Sequence, residues 1–380
     1  MKKRLFSPGP TPVPERVLLS MAEPLFHHRD PAFEEVFREV REGLKYVFQT
    51  EQDVLILASS GTGAMEAAVV NTLCEGDAVL VVRGGKFGER WAEICEAYGL
   101  RVVPVDAVWG EAIDPVLVQR TLEADPEIRA VMVQACETST GVLHPIKELC
   151  DIVREREDTI IIVDAISALG AVDLPMDRWG IDVMVAGSQK ALMLPPGLSF
   201  VALSEKAWRF AKRSTLPKYY FDLQAELRSQ QKNQTHFTPA ISLVVGLREA
   251  LRMIKEEGLQ NVFRRHELLA RAVQEAVRAM GLELLSDSPS PTLTAIKLPS
   301  GIDGQELKRR LEDRYGLIVA GGQEHLKGRI IRIAHMGYFE PSDILQIIAA
   351  LELELKGMGY PVELGRGVSA AQRVFEEAGP

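Results

Sequence analysis

The sequence predicts an α/β fold: a mainly parallel sheet flanked by helices, followed by a smaller C-terminal α+β domain. Three observations point there. Short apolar runs alternate with amphipathic helical stretches from residue 53 to residue 203. Several of those runs are continuously apolar, as strands must be when a parallel sheet is covered on both faces. And 380 residues exceed what one simple core holds, so two domains are expected.

Prolines at positions 8, 10, 12 and 14 forbid a helix there and predict an extended stretch over residues 1–14, within an amino-terminal arm over 1–20. Residues 31–48 repeat Phe33, Val36, Phe37, Val40, Leu44 and Val47 at helical spacing. Strands are then predicted over residues 53–59, 78–83, 101–106, 130–136, 159–164, 182–186 and 199–203. Helices are predicted between them over 64–74, 87–99, 115–124 and 146–156. Two long helices follow, one ending near Gly258 and one at Gly281. The boundary is expected near Gly258, giving a large domain over 21–257 and a small one over 258–380. The small domain should hold a strand in TLTAIKLPSG, a helix from Gln305, a strand in RIIRIAHMG and a helix from Pro341.

Hydrophobic residues at 46% and charged residues at 26% describe an ordinary soluble protein. A net charge of −9 without a basic block argues against nucleic acid or an anionic membrane as main partner. Cys74, Cys95, Cys136 and Cys150 form no CxxC pair, which suits a reducing, cytoplasmic location. The start MKKRLFSPGPTPVP lacks the apolar segment of a secretory signal, and no apolar run approaches roughly 20 residues. No membrane span is expected.

Two charged residues stand at the ends of successive apolar runs. TIIIVDAISALG carries Asp164, and DVMVAGSQKALMLPPGLSFV carries Lys190. A lone lysine at a strand end normally leaves for solvent. Here GSQK enters a turn fixed by Pro-Pro-Gly, which holds one side chain inward. Pyridoxal phosphate (PLP) chemistry needs this pair: an amine that carries the aldehyde, and an acid that keeps the pyridine nitrogen protonated. Burial would keep the amine nucleophilic near neutral pH. In isolation, Asp164 serves equally well as a turn cap.

Four further segments fit around them. Ser60-Gly61-Thr62-Gly63 lies between a strand and a helix, where free N–H groups and a positive dipole end suit a phosphate. It is no nucleotide fingerprint, because Glu66 stands where GxGxxG needs its third glycine. In Gly84-Gly85-Lys86-Phe87-Gly88, Phe87 can lie against a planar ring or simply fill the core. In Glu137-Thr138-Ser139-Thr140-Gly141, Thr138 can donate to the ring's phenolate oxygen or belong to a polar turn. Arg332, inside an apolar strand, needs a partner: a substrate carboxylate or an internal salt bridge. His27, His28 and Arg29 can line an entrance or merely face solvent.

Together these segments resemble the class V aminotransferases within the fold-type I PLP-dependent transferases. PGPTPVP, SGTGAMEAAVVN, GGKFGERW, ETSTGVLHP, VDAISALG and GSQKALMLPPGLSFV fall in the family's order. The nearest branch is the alanine–glyoxylate and serine–pyruvate (serine–glyoxylate) aminotransferases, over residues 6 to 355. The resemblance implies that Lys190 carries PLP and shuttles the proton, and that Asp164 pairs with the pyridine nitrogen. It implies Gly61 and Thr62 at the phosphate with Gln189 nearby, Phe87 on the ring, Thr138 at the phenolate oxygen and Arg332 on the substrate carboxylate. It also implies a homodimer with active sites at the subunit interface, Thr238 reaching the partner's phosphate. The reaction implied is ping-pong transfer from alanine or serine to glyoxylate or pyruvate.

A cysteine desulfurase needs a nucleophilic cysteine on a loop after the lysine, and all four cysteines here precede Lys190. A 2-aminoethylphosphonate–pyruvate-type aminotransferase is a closer rival, since Arg332 alone does not exclude a phosphonate substrate. The rival from another class is a non-catalytic subunit that keeps the fold.

Overall fold

The computed structural model describes residues 2–379. The chain opens with strand β1 (Arg4–Phe6) and helix α1 (Glu15–Met21), then α2 (Pro31–Phe48). Helix α1 begins directly after Pro14, so among the described residues the proline-rich stretch before it holds no helix, as expected. The arm's first strand pairs in parallel with a strand near the other end of the chain, Arg4 opposite Leu317 and Phe6 opposite Val319. Helix α2 has the predicted bounds. Pro31 sits where a helix does not need its N–H, and Asp30 caps the start by accepting from the Ala32 N–H at 2.8 Å.

Strand β2 (Val54–Leu57), α3 (Gly61–Thr72), β3 (Ala78–Arg83), α4 (Lys86–Ala97), β4 (Arg101–Asp106) and β5 (Ile128–Gln134) follow. A small hairpin, β6 (Cys136–Glu137) and β7 (Val142–Leu143), precedes β8 (Ile160–Asp164), β9 (Val183–Gly187) and β10 (Ser199–Leu203). The large sheet has the order β2-β10-β9-β8-β5-β3-β4. Its pairs are parallel except at β10, which runs against both β9 and β2. The strand 199–203 lies where its apolar run predicts and runs against both neighbours, so the sheet is mainly parallel, as expected.

Both faces of this sheet are buried, and the side chains alternate between them. Leu80, Val82, Val131, Val133, Ile161 and Val163 pack on one side with Phe33, Phe37 and Leu44 of α2. Val79, Val81, Ala130, Met132, Ile160 and Ile162 pack on the other with Ala64, Met65 and Ala68 of α3 and Trp91 of α4. A strand buried twice must be apolar at every position, which is why these runs read as continuous.

A five-stranded sheet follows near the carboxyl end. It holds β11 (Glu283–Leu284), β12 (Leu293–Lys297), β13 (Leu317–Gly321) and β14 (Ile330–Ala334), in the order β1-β13-β14-β12-β11. Its core gathers Phe6, Val273, Leu307, Leu311, Ile331, Ile333, Ile347 and Leu351. The two long helices are Ile241–Glu257 and Leu259–Ala279, with Gly258 between them at φ 82°. Residues up to Phe263 belong to the large-sheet core, and Leu269 begins the small-sheet core. The helix Arg366–Ala378 had no sequence expectation. Buried Glu352 holds its start, accepting from the Gly365, Gly367 and Val368 N–H groups. No helix among the described residues is long and apolar enough to cross a membrane.

Candidate active site

The large sheet brings five loops together at the carboxyl ends of its parallel strands: those after β2, β3, β5, β8 and β9. They surround a cavity of about 300 Å³. Among the residues predicted from sequence, Gly61, Thr62, Phe87, Thr138, Asp164, Gln189 and Lys190 line it. Gly9, Pro10, Ser60, Arg90, Ile166, Ser167 and Pro196 complete the wall. Of these, Arg90 is the functional candidate that sequence reasoning missed. It lies within the quoted GGKFGERW segment, where a charged residue near a helix start reads as a solvated face.

Asp164 ends β8, and Lys190 follows β9, the next strand in register. Both side chains are buried. Burial lowers the Lys190 ammonium from 10.5 to about 8 and raises the Asp164 carboxyl from 3.8 to about 7. Lys190 is thereby held where giving up a proton costs little near neutral pH. Lys190 Nζ donates to the Pro8 carbonyl, and the Thr11 hydroxyl donates to the Lys190 carbonyl at 2.8 Å. The arm thus crosses directly over the lysine. A Cβ at Gly9 would lie 2.5 Å from Lys190 Nζ, so only glycine permits the approach.

Asp164 Oδ1 accepts from the Ile166 N–H at 2.8 Å. Its other oxygen has no protein partner among the described residues and is free for a cationic N–H. At the start of α3, Ser60 makes no side-chain cap, and while the Gly63 N–H donates to the Ser60 carbonyl at 2.9 Å, the Gly61 and Thr62 N–H groups have no acceptor among the described residues. A Cβ at Gly61 would lie 2.6 Å from Ile166 Cδ1, so a side chain there would push Ile166 aside. The Gln189 side-chain oxygen is buried with no partner. Thr138 and Ser167 share a hydrogen bond at 2.7 Å. Phe87 has Arg90 on its ring, 4.9 Å from guanidinium carbon to centroid.

The loop carrying Phe87 is held from below. Buried Glu137 accepts from the Phe87 and Gly88 N–H groups, both at 3.1 Å, from the Ser139 N–H at 3.0 Å and from its hydroxyl at 2.6 Å. Burial raises its carboxyl above the ordinary range, and those donors pull it back.

Arg332 is 8% exposed, and its internal contacts are not a salt bridge. Nε donates to the Gly321 carbonyl at 2.9 Å and Nη1 to the Thr138 carbonyl at 2.7 Å. Burial lowers its pKa to about 10, so it stays charged at neutral pH. Its side chain thus hydrogen-bonds only carbonyls, Nη2 has no hydrogen-bond partner among the described residues, and it does not line the cavity around Lys190.

Thr238 lies elsewhere, in a small cavity with Tyr220, Glu226, Thr235 and Phe237. Within one chain it does not meet Lys190. His27, His28 and Arg29 do not line the active cavity either. The two imidazoles lie 4.5 Å apart, and Arg29 donates to Gln234 at 2.7 Å.

The residues present fit PLP. A buried acid with one free oxygen suits the ring nitrogen, the free N–H groups of Gly61 and Thr62 suit the phosphate, an aromatic face suits the ring and an amine lowered to about 8 suits the aldehyde. Residues 4–337 match the family description "Aminotransferase class-V". The chain is 44% identical to the soluble hydrogenase small subunit of Synechococcus sp. (strain PCC 6716), covering 99% of each. It is 36% identical to the serine–glyoxylate aminotransferase of Methylorubrum extorquens, covering 99% of this chain and 96% of that one. Among solved structures it resembles the ureidoglycine–glyoxylate aminotransferase of Bacillus subtilis, with a TM-score of 0.94 at 32% identity, covering 99% and 98%. A match across most of the length, over a fold and cavity of this kind, means that the chain belongs to the class-V aminotransferases, which transfer amino groups.

Proposed function

We propose that this protein binds PLP on Lys190 and moves an amino group from a small amino acid, alanine or serine, to glyoxylate or pyruvate. The observation that carries the reading is the pair Lys190 and Asp164. They are buried at the carboxyl ends of neighbouring parallel strands, Asp164 as the last residue of β8 and Lys190 just after β9, line one cavity, and have pKa values drawn to about 8 for the lysine and about 7 for the acid.

PLP, when bound, supplies the aldehyde that joins the amine and the ring that accepts electrons from the substrate Cα. Asp164 holds the pyridine nitrogen cationic through its free oxygen. Lys190 would hold the cofactor's aldehyde and, when a substrate amine takes its place, its Nζ would carry the proton released from Cα. Arg332 Nη2 holds the substrate carboxylate, which orients Cα. Thr138 faces the phenolate oxygen, Phe87 lies on the ring, and Gly61, Thr62 and Gln189 meet the phosphate. The second substrate reverses the sequence, which gives ping-pong kinetics. The segments 21–257 and 258–380 act as a large cofactor-binding and a small domain. The protein works in the cytoplasm as a homodimer, with sites at the subunit interface and Thr238 reaching the partner's phosphate.

Glyoxylate stands in the names of both the serine and the ureidoglycine enzymes, and their differing donors leave this chain's donor to measurement. A single-turnover screen decides it. The PLP-loaded protein is mixed with alanine, serine, glycine or 2-aminoethylphosphonate, and the carbonyl product is assayed. Pyruvate from alanine or hydroxypyruvate from serine is expected. Turnover with 2-aminoethylphosphonate alone would reassign the substrate class.

A second reading has one observation behind it. The 44%-identical Synechococcus chain is named as a subunit of a larger enzyme. If the protein binds PLP yet turns over none of these donors, a role as a non-catalytic subunit becomes the better reading.

A further inference from the structure

Three charged side chains line the active cavity: Lys190, Asp164 and Arg90. The first two have tasks in the reading above, but Arg90 has none. Its guanidinium donates to Thr62 Oγ1 at 3.2 Å and lies 4.9 Å from the Phe87 ring centroid. No carboxylate pairs with it among the described residues. Thr62 is the second residue of α3, so this contact holds Arg90 beside the uncapped N–H groups of that helix.

The charge balance asks for a cation there. A phosphate ester carries about −1.5 to −2 at neutral pH. A helix amino end offers the equivalent of only about +0.5. Asp164 adds negative charge, and burial moves Lys190 toward its neutral form. Arg90 is the one permanently charged cation lining the cavity. Its planar fork is already oriented on one side by the Thr62 hydroxyl and on the other by an aromatic face, so little side-chain freedom remains to be lost on binding.

We infer that Arg90 is a direct ligand of the cofactor phosphate, closing the cup begun by Gly61 and Thr62. This rests on the PLP reading above. The alternative is that Arg90 only backs the Phe87 ring. The two roles separate because one depends on the phosphate and the other on the ring.

The test compares the apoprotein with Arg90→Met, which keeps an apolar stem, and Arg90→Lys, which keeps the charge. Dissociation constants are measured for PLP and for pyridoxal, which lacks the phosphate, and stabilisation by inorganic phosphate is read as a melting shift. Loss of one charged hydrogen-bond partner predicts PLP weakened roughly 10- to 100-fold in Arg90→Met. Arg90→Lys should recover part of that loss, pyridoxal affinity should be unchanged, and the melting shift with inorganic phosphate should shrink. Equal weakening of PLP and pyridoxal overturns the Arg90 assignment in favour of ring support. Failure of the unmodified protein to bind either compound overturns the PLP reading beneath it.

Discussion

Asp164 is the residue whose environment makes the sharpest demand. Its carboxyl titrates near 7 because burial penalises the anion, against 3.8 for an exposed aspartate. Between pH 3.8 and 7 the folded chain holds a proton that the unfolded chain has released. Stability therefore falls as pH rises through that window, and the full penalty stands above pH 7. The difference corresponds to roughly 4 kcal/mol at about 1.4 kcal/mol per pH unit, an upper figure for a site that can relax. Asp164→Asn removes the charge and keeps an oxygen for the Ile166 N–H. We expect the cofactor-free Asp164→Asn protein to be more stable than the native one at pH 8, by about 1–3 kcal/mol, with the gap closing below pH 4. Its PLP affinity should fall. Denaturant melts at the two pH values check this; equal stability at pH 8 would mean that Asp164 is compensated inside the chain. The place of Lys190 and Asp164 beside one cavity was readable from sequence because a charge ending an apolar run is costly. That of Arg90 was not, since an arginine at a helix start signals nothing until the fold sets it against Thr62.

Among the elements, the loop before α4 depends most on a distant support. Glu137, on β6, ties down the N–H groups of Phe87 and Gly88, and a Cβ at Gly85 would lie 2.6 Å from its Cγ. Glu137→Ala leaves buried N–H groups without acceptors at about 1–3 kcal/mol each, so a loss of roughly 2–4 kcal/mol is expected. Glu137→Gln, which retains one acceptor oxygen, should lose less. Denaturant unfolding of both variants measures the difference, and an equal loss would show that the carboxylate does not hold this loop. The elements readable from sequence were those with their own periodicity: Pro31–Phe48, Ala78–Arg83, Pro115–Ala124 and Ser199–Leu203 match their expected bounds. β1 was not readable, because Arg4–Phe6 becomes a strand only by pairing with β13 near the far end of the chain. Nor was the reversal of β10, since a strand buried on both faces reads alike in either direction.

In the molecule as a whole, the arm joins what the two sheets separate. β1 belongs to the small sheet, while residues 8–11 cross Lys190, which follows a strand of the large one. Arg332 of the small sheet likewise holds the Thr138 carbonyl beside the large sheet. The cavity is therefore formed by the large-sheet loops under the amino arm, and its lysine is singled out from the others by burial and by the arm above it. That selection is directly measurable. The protein is incubated with PLP, reduced with borohydride, digested and mapped by mass spectrometry. One pyridoxyl group per chain on Lys190 is expected, with none elsewhere at stoichiometric PLP. Label spread over exposed lysines with Lys190 unmodified, or no label at all, would contradict Lys190 as the cofactor's anchor and with it the proposed chemistry.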